Sequence, residues 1–123
     1  MTKTEIAKVA HATLQEYKKF TEPELAIQGW FDVTKEDRDS FIAGVEWVMN
    51  NPATTAEHQH NAWVKHKKDT GWLYGKKKDE KLRTHPLMIP WADISLEHRT
   101  KDTIFIAVVV SLLPMQKYLK GIA

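Results

Sequence analysis

With 123 residues, 42% of them hydrophobic and 28% charged, the chain is long enough for one domain with a real core and too apolar to be disordered. The absence of cysteine excludes disulfide scaffolds and thiolate metal sites. The formal net charge of +2 hides a division: residues 1–60 hold 6 Lys/Arg against 10 Asp/Glu, residues 61–85 hold 8 against 3, and residues 86–123 hold 4 against 3.

Thr2-Lys3-Thr4-Glu5 reads as a capping box, in which a Thr hydroxyl and a Glu carboxylate occupy free amides of a first helical turn. Ile6, Val9, Ala10, Leu14 and Tyr17 then recur at helical spacing and predict an amphipathic helix over residues 4–19. A loop through Pro23 and Gly29 carries Trp30 and Phe31. Thr34-Lys35-Glu36-Asp37 opens a second helix with an apolar face of Phe41, Ile42, Val45, Val48 and Met49, closed by Asn50-Asn51-Pro52. A third helix starts within Thr54 to Glu57, places Ala56, His60, Trp63, Val64 and Lys67 on roughly one side, and stops at Gly71. Beyond Gly71 the helical period fails. Trp72-Leu73-Tyr74 and Leu87-Met88-Ile89 are short strand-like pieces expected to pair antiparallel, with Pro90 confining the second to an edge. Ser95 caps the last helix, whose apolar residues crowd all round from Ile104 to Leu113, as in a helix buried on most sides, and Pro114 should end or kink it. The expected fold is mainly α, about four helices with a small two-stranded antiparallel β element between the third and the fourth, in a single domain over residues 1–123.

The N-terminal stretch lacks the apolar core of a signal peptide, and the run from Ile104 to Met115 is about half of the roughly 20 residues a membrane span needs. A cytoplasmic protein without membrane contact is the expectation.

The chemistry-bearing residues gather in the basic middle. If residues 72–74 are extended, Trp72 and Tyr74 project on one face, and Trp63 lies just across the helix end. A nucleobase stacked on such rings gains on the order of 1–3 kcal/mol. Lys67, Lys78 and Arg83 are spaced so that a loop can bring them to one phosphate. The plainer reading of the same residues is a core Trp72 under a solvated loop, with Lys76 and Lys77 in water. His85-Pro86 reads as a fixed turn rather than a catalytic element. Arg99 and Asp102, three apart on the last helix, either pair with each other or reach back to the charged loop. His58, His60 and His66 do not share a metal-binding face, and no His-Glu-x-x-His is present, so no metal is expected. Ser40, Ser95 and Ser111 stand in no catalytic set, which argues for binding rather than an enzyme, and no cofactor is expected.

The segment from Trp63 to about Val110 resembles the ryanodine-receptor repeat, the RyR domain, in its short single-repeat bacterial and phage form. The matching residues are Trp63 in NAWVKHK, Gly71-Trp72-Leu73-Tyr74-Gly75, Lys78-Asp79, Arg83, His85-Pro86, Pro90-Trp91, Arg99 and Asp102. GW-x-YG alone is weak; with His-Pro ten residues after its final Gly and R-x-x-D thirteen residues beyond that Pro, the signal is strong. Lys76 departs from the pattern, which commonly has Pro there and so a tighter turn. The resemblance implies residues 1–53 as a helical extension and about 54–114 as the repeat core. Repeats of the receptor form tandem pairs in its cytosolic part and bind an adenine nucleotide without catalysis. The short relatives have been proposed to bind nucleotide-derived signals in antiviral defence. The resemblance therefore implies a non-catalytic site for a cyclic nucleotide or ADP-ribose type signal, formed by Trp63, Lys67, Trp72, Tyr74, Lys78, Asp79, Arg83, His85, Arg99 and Asp102. It further implies sequestration, as by a phage anti-defence sponge in the host cytoplasm, and a homodimer or higher homo-oligomer restoring the tandem pairing. The Ile104–Leu113 helix and residues 115–119 are candidate contact surfaces. The alternatives are single-stranded nucleic acid on the basic aromatic patch and an acidic protein partner for the basic loop.

Overall fold

A computed structural model describes residues 1–25 and 27–122, the side chains of 25 and 114–122 excepted. Among the described residues, four α-helices run α1 (Lys3–Thr21), α2 (Lys35–Asn50), α3 (Ala56–Asp69) and α4 (Leu96–Ile122). Short 3₁₀ turns occupy Pro23–Leu25 and Trp91–Asp93, and two strands, β1 (Leu73–Tyr74) and β2 (Thr84–His85), lie between α3 and α4.

The helix starts follow from the capping chemistry. Thr2 and Glu5 form the full capping box, each side chain accepting from the other's amide at 3.1 Å. Hydrogen bonding from Thr2, its backbone amide first and then its side chain, lowers the pKa of the Glu5 carboxyl. Thr34, Thr55 and Ser95 accept from the amides three residues on, which opens α2, α3 and α4.

α1, α2 and α4 pack on one another around Ile6, Ala7, Ala10, Leu14, Val45, Val48, Phe105 and Val109, and α3 rests on α2 and α4. The buried stripe of α1 is rotated from the expected one, because Val9 is exposed while Ala7 and His11 are buried. His11 is held among rings, edge-on to Trp30 at 5.7 Å and to Phe41 at 5.2 Å. Gly44 lets α2 approach α4 closely: a Cβ there would sit 3.2 Å from the Phe105 ring. No described helix is long and apolar enough to cross a membrane.

Three expectations are corrected. β1 pairs with β2 in parallel, Leu73 opposite Thr84 and Tyr74 opposite His85, not antiparallel with Leu87–Ile89. The chain reverses once inside the intervening loop, where Asp79 and Thr84 form an antiparallel bridge, so it re-enters beside β1 in the original direction. Leu87–Ile89, held between Pro86 and Pro90, is an apolar turn that buries Met88. α4 continues through Pro114 to Ile122. Its stretch from Ile104 to Leu113 is fully buried only at Phe105 and Val109; Ile106 and Val110 are half-buried, and Ala107 is exposed. The side chains of residues 115–119, the other expected contact surface, lie outside the described residues.

Candidate functional site

α3 presents His60, Trp63 and Lys67 at successive helical turns, and its end determines what Lys67 meets. Gly71, at φ +90°, takes the left-handed conformation that favours glycine. The amides of Gly71 and Trp72 then donate to the carbonyls of Lys68 at 3.0 Å and Lys67 at 2.9 Å, a Schellman closure. This closure folds Trp72 back beneath the helix end. Trp72 is 2% exposed, and the Lys67 ammonium lies 4.2 Å from its ring centre. The Arg83 guanidinium lies 5.8 Å from the same ring. Two cations thus share one buried indole.

The loop that delivers Arg83 is built by Asp79, whose Oδ1 accepts from the amides of Lys81 and Leu82 at 2.9 and 3.0 Å. The Thr84 hydroxyl donates to the Lys77 carbonyl at 2.9 Å. Arg83 itself sits at φ +53°, and Gly75 passes so close to β2 that a Cβ would meet the Thr84 side chain at 2.5 Å. Lys78 is tied to α2 by a 2.9 Å ion pair with Asp37. Lys67 and Arg83 have no carboxylate within 4 Å among the described residues. Burial lowers the Lys67 pKa; Glu36 and Asp37 oppose the effect, and Lys78 and Arg83 reinforce it.

β2 carries His85 into contact with Trp63, rings edge-to-face at 4.8 Å, and near Trp72 at 6.4 Å. Its Nδ1 accepts from the Leu87 amide at 3.1 Å, so the neutral ring holds its proton on Nε2. Burial first, then Lys78 and Lys67, hold its pKa down at about 4. On the other side of Trp63, the buried His60 donates through Nε2 to the Ile89 carbonyl at 2.8 Å and packs on Trp63 and Trp91. Arg99 fixes the Trp91–Asp93 turn: its Nη2 donates to the carbonyls of Trp91 and Ala92 at 3.0 and 2.9 Å, and its guanidinium lies over the Trp91 ring. Asp102 is half-buried with no hydrogen-bond or ion-pair partner among the described residues. Burial pushes its carboxyl up to about 6, against the opposing charges of His60 and Lys101.

Trp63, Lys67, Trp72, Arg83 and His85 therefore converge. Trp72 is a buried platform for two cations and offers no open face for a base. Tyr74, 56% exposed, stands apart from the ring cluster. Asp79 serves the loop turn, Lys78 is paired with Asp37, and Lys76 and Lys77 are exposed. Arg99 pairs with two carbonyls, not with Asp102, and among the described residues Asp102 makes no bond to the loop. Outside the expected set, His60 and Trp91 complete the aromatic wall, and Asp37 faces the basic loop. His60 was readable from its place three residues before Trp63; Asp37, 41 residues from Lys78, carried no sequence signal.

A separate apolar groove of about 360 Å³ lies between the α2–α3 connection and α4, lined by Pro52, Thr54, Thr55, Ala56, Thr103, Ile106, Ala107 and Val110. It holds no charge and does not reach the ring cluster.

Residues 45–118, more than half of the chain, match the family model for the RyR domain. The chain belongs to the RyR-domain family.

Proposed function

We propose that this RyR-domain protein binds a nucleotide-derived signal of the cyclic nucleotide or ADP-ribose type and releases it unchanged. The reading rests on one observation above the rest: Lys67 and Arg83 converge on buried Trp72 with no carboxylate within 4 Å of either among the described residues, beside half-buried Trp63. Lys67, partly dehydrated, and Arg83 repel each other across the Trp72 ring, and an anion between them removes that cost. Trp63 supplies an apolar wall next to the anion, as a nucleotide needs.

Binding without chemistry suits a sequestering role, that of a phage anti-defence sponge in a host cytoplasm. A second copy docked on the outer face of α4, where Ile106, Ala107 and Val110 border the apolar groove, would restore a paired arrangement. Single-stranded nucleic acid is the weaker reading. Asp37 and Glu36 stand against the basic loop, so the cations form a compact spot rather than a stripe along which a polyanion can run.

The test is a thermal-shift and calorimetric screen against mononucleotides, ADP-ribose variants and cyclic di- and trinucleotides. A ligand at about 100 times its Kd adds roughly 2.7 kcal/mol, a shift of several degrees. Lys67→Ala and Trp63→Ala should abolish the shift, and chromatography should recover the ligand intact. Absence of any shift, or ligand turnover, would overturn the reading. Light scattering with Val110→Glu tests the dimer.

A further inference from the structure

Resting on the nucleotide reading above, we infer that Arg83 is held in a disfavoured backbone conformation in order to meet the ligand's phosphate, and that Asp79 is the residue that positions it. Asp79 and Thr84 exchange both backbone hydrogen bonds, each at 3.0 Å, and so close a loop that runs from Glu80 to Arg83. The Asp79 carboxylate secures this loop from inside by accepting from the Lys81 and Leu82 amides, and the Thr84 hydroxyl ties in the Lys77 carbonyl. On the far side, the Leu73 amide donates to the Arg83 carbonyl at 2.9 Å, so β1 holds the backbone there as well. The closure leaves Arg83, the last loop residue, at φ +53°. Among the described residues it is the one non-glycine with positive φ.

Glycine and asparagine adopt this conformation readily, whereas arginine does not. The loop closure makes no use of the arginine side chain, which forms no hydrogen bond or ion pair among the described residues. Its guanidinium instead lies 5.8 Å from the centre of the ring that also carries the Lys67 ammonium at 4.2 Å. The position thus combines a disfavoured backbone with a like charge across one indole. Contact with the ring offsets only part of this, because a cation gains little over a ring when it stays as exposed as Arg83. Backbone outliers of this kind gather where a side chain must be held ready for a ligand. What the arrangement gains is a planar, two-pronged donor fixed beside an ammonium, a pair matched to the oxygens of a phosphate or diphosphate. Without the two amide contacts of Asp79, the loop can relax and carry the guanidinium away from Lys67.

The experiment titrates ADP, ADP-ribose and cyclic di-AMP into the full chain by calorimetry at pH 7.5, with thermal midpoints alongside. Arg83→Ala and Arg83→Asn both remove the guanidinium, and each should weaken the bound probe about 10–100-fold. Of the two, asparagine suits the left-handed conformation, so its midpoint should stand about 2–4 °C above that of Arg83→Ala and no lower than wild type. Asp79→Ala should weaken binding about tenfold, and Asp79→Asn, whose side-chain oxygen still accepts from both amides, should restore it. A midpoint for Arg83→Asn well below wild type would show that the arginine serves the fold, and would overturn the inference. Equal loss of affinity in Asp79→Ala and Asp79→Asn overturns the positioning role. Unchanged affinity in both Arg83 variants, with binding lost in Lys67→Ala, overturns the assignment of Arg83 and leaves the nucleotide reading standing. No binding of any of the three probes by the wild type overturns both.

Discussion

Around Ile6, Ala10, Val45, Val48 and Val109 the interior is made of aliphatic side chains that are wholly buried, whereas around Trp72 rings meet an ammonium and a guanidinium group. In the first region each buried group is stabilised by leaving water. In the second, half-buried Lys67 and exposed Arg83 are held against the same buried ring, with no carboxylate within 4 Å of either among the described residues. Packing accounts for the first region and not for the second.

Two truncations of similar size separate the regions most sharply. Phe105→Ala and Trp72→Ala each remove a buried ring and should each cost about 3–5 kcal/mol, read from urea unfolding. Phe105 abuts Gly44 and Phe41 in the helical core, so its loss should leave nucleotide affinity unchanged in the folded fraction. Trp72 carries both cations, so its loss should abolish binding as well. Equal affinity in the two variants would remove the distinction between core and site.

The acid side of the stability profile gives the next effect, because two site groups oppose each other there. His85 has its pKa lowered to about 4, so the folded state resists a proton that the unfolded chain takes up near 6.5, and stability falls as pH drops from 6.5 through 4. Asp102 has its pKa raised from 3.8 to about 6, so its protonated form is favoured in the fold, and its contribution, full below 3.8, is lost as pH rises through 6. His11 and His98, lowered by burial, add to the His85 side. Asp102→Asn should steepen the loss of stability on acidification between pH 6.5 and 4 by about 1–2 kcal/mol, and stabilise the protein at pH 7.5. An unchanged profile in urea titrations at pH 4.5 and 7.5 would show that the carboxyl is already compensated.

The contrast also explains what could be read beforehand. Helix starts at Thr2, Thr34, Thr55 and Ser95 and the stop at Gly71 are local chemistry, written within four residues, and they were legible. The strand direction was not. It depends on Asp79 turning the chain inside the loop, and an apolar run at Leu87–Ile89 is the louder but misleading signal. Pro114 allows an end or a kink, and the end is ruled out: a helix can continue through one missing amide where its next turns form. In the site, Trp63, Lys67, Arg83 and His85 were legible from spacing together with the family pattern. The burial of Trp72 follows from the Schellman closure, which directs the residue after Gly71 back under Lys67, and spacing alone does not carry that.

The smallest effect falls on the contact that joins the two regions. Lys78 on the basic loop and Asp37 in the first turn of α2 form a 2.9 Å ion pair, with both side chains 39% exposed. Exposed pairs couple by about 0.2–1 kcal/mol, so a double-mutant cycle with Lys78→Ala and Asp37→Ala should return a value in that range. Binding should respond with the opposite sign. Asp37 lies near Lys67, Lys78 and His85, and its charge lowers the positive potential that draws in an anion. Asp37→Asn should therefore weaken the fold slightly while tightening nucleotide binding severalfold at low salt, and the gain should shrink as added salt screens it. If Asp37→Asn weakened both, the pair would be holding the loop in its binding position, and α2 would belong to the site rather than to the scaffold behind it.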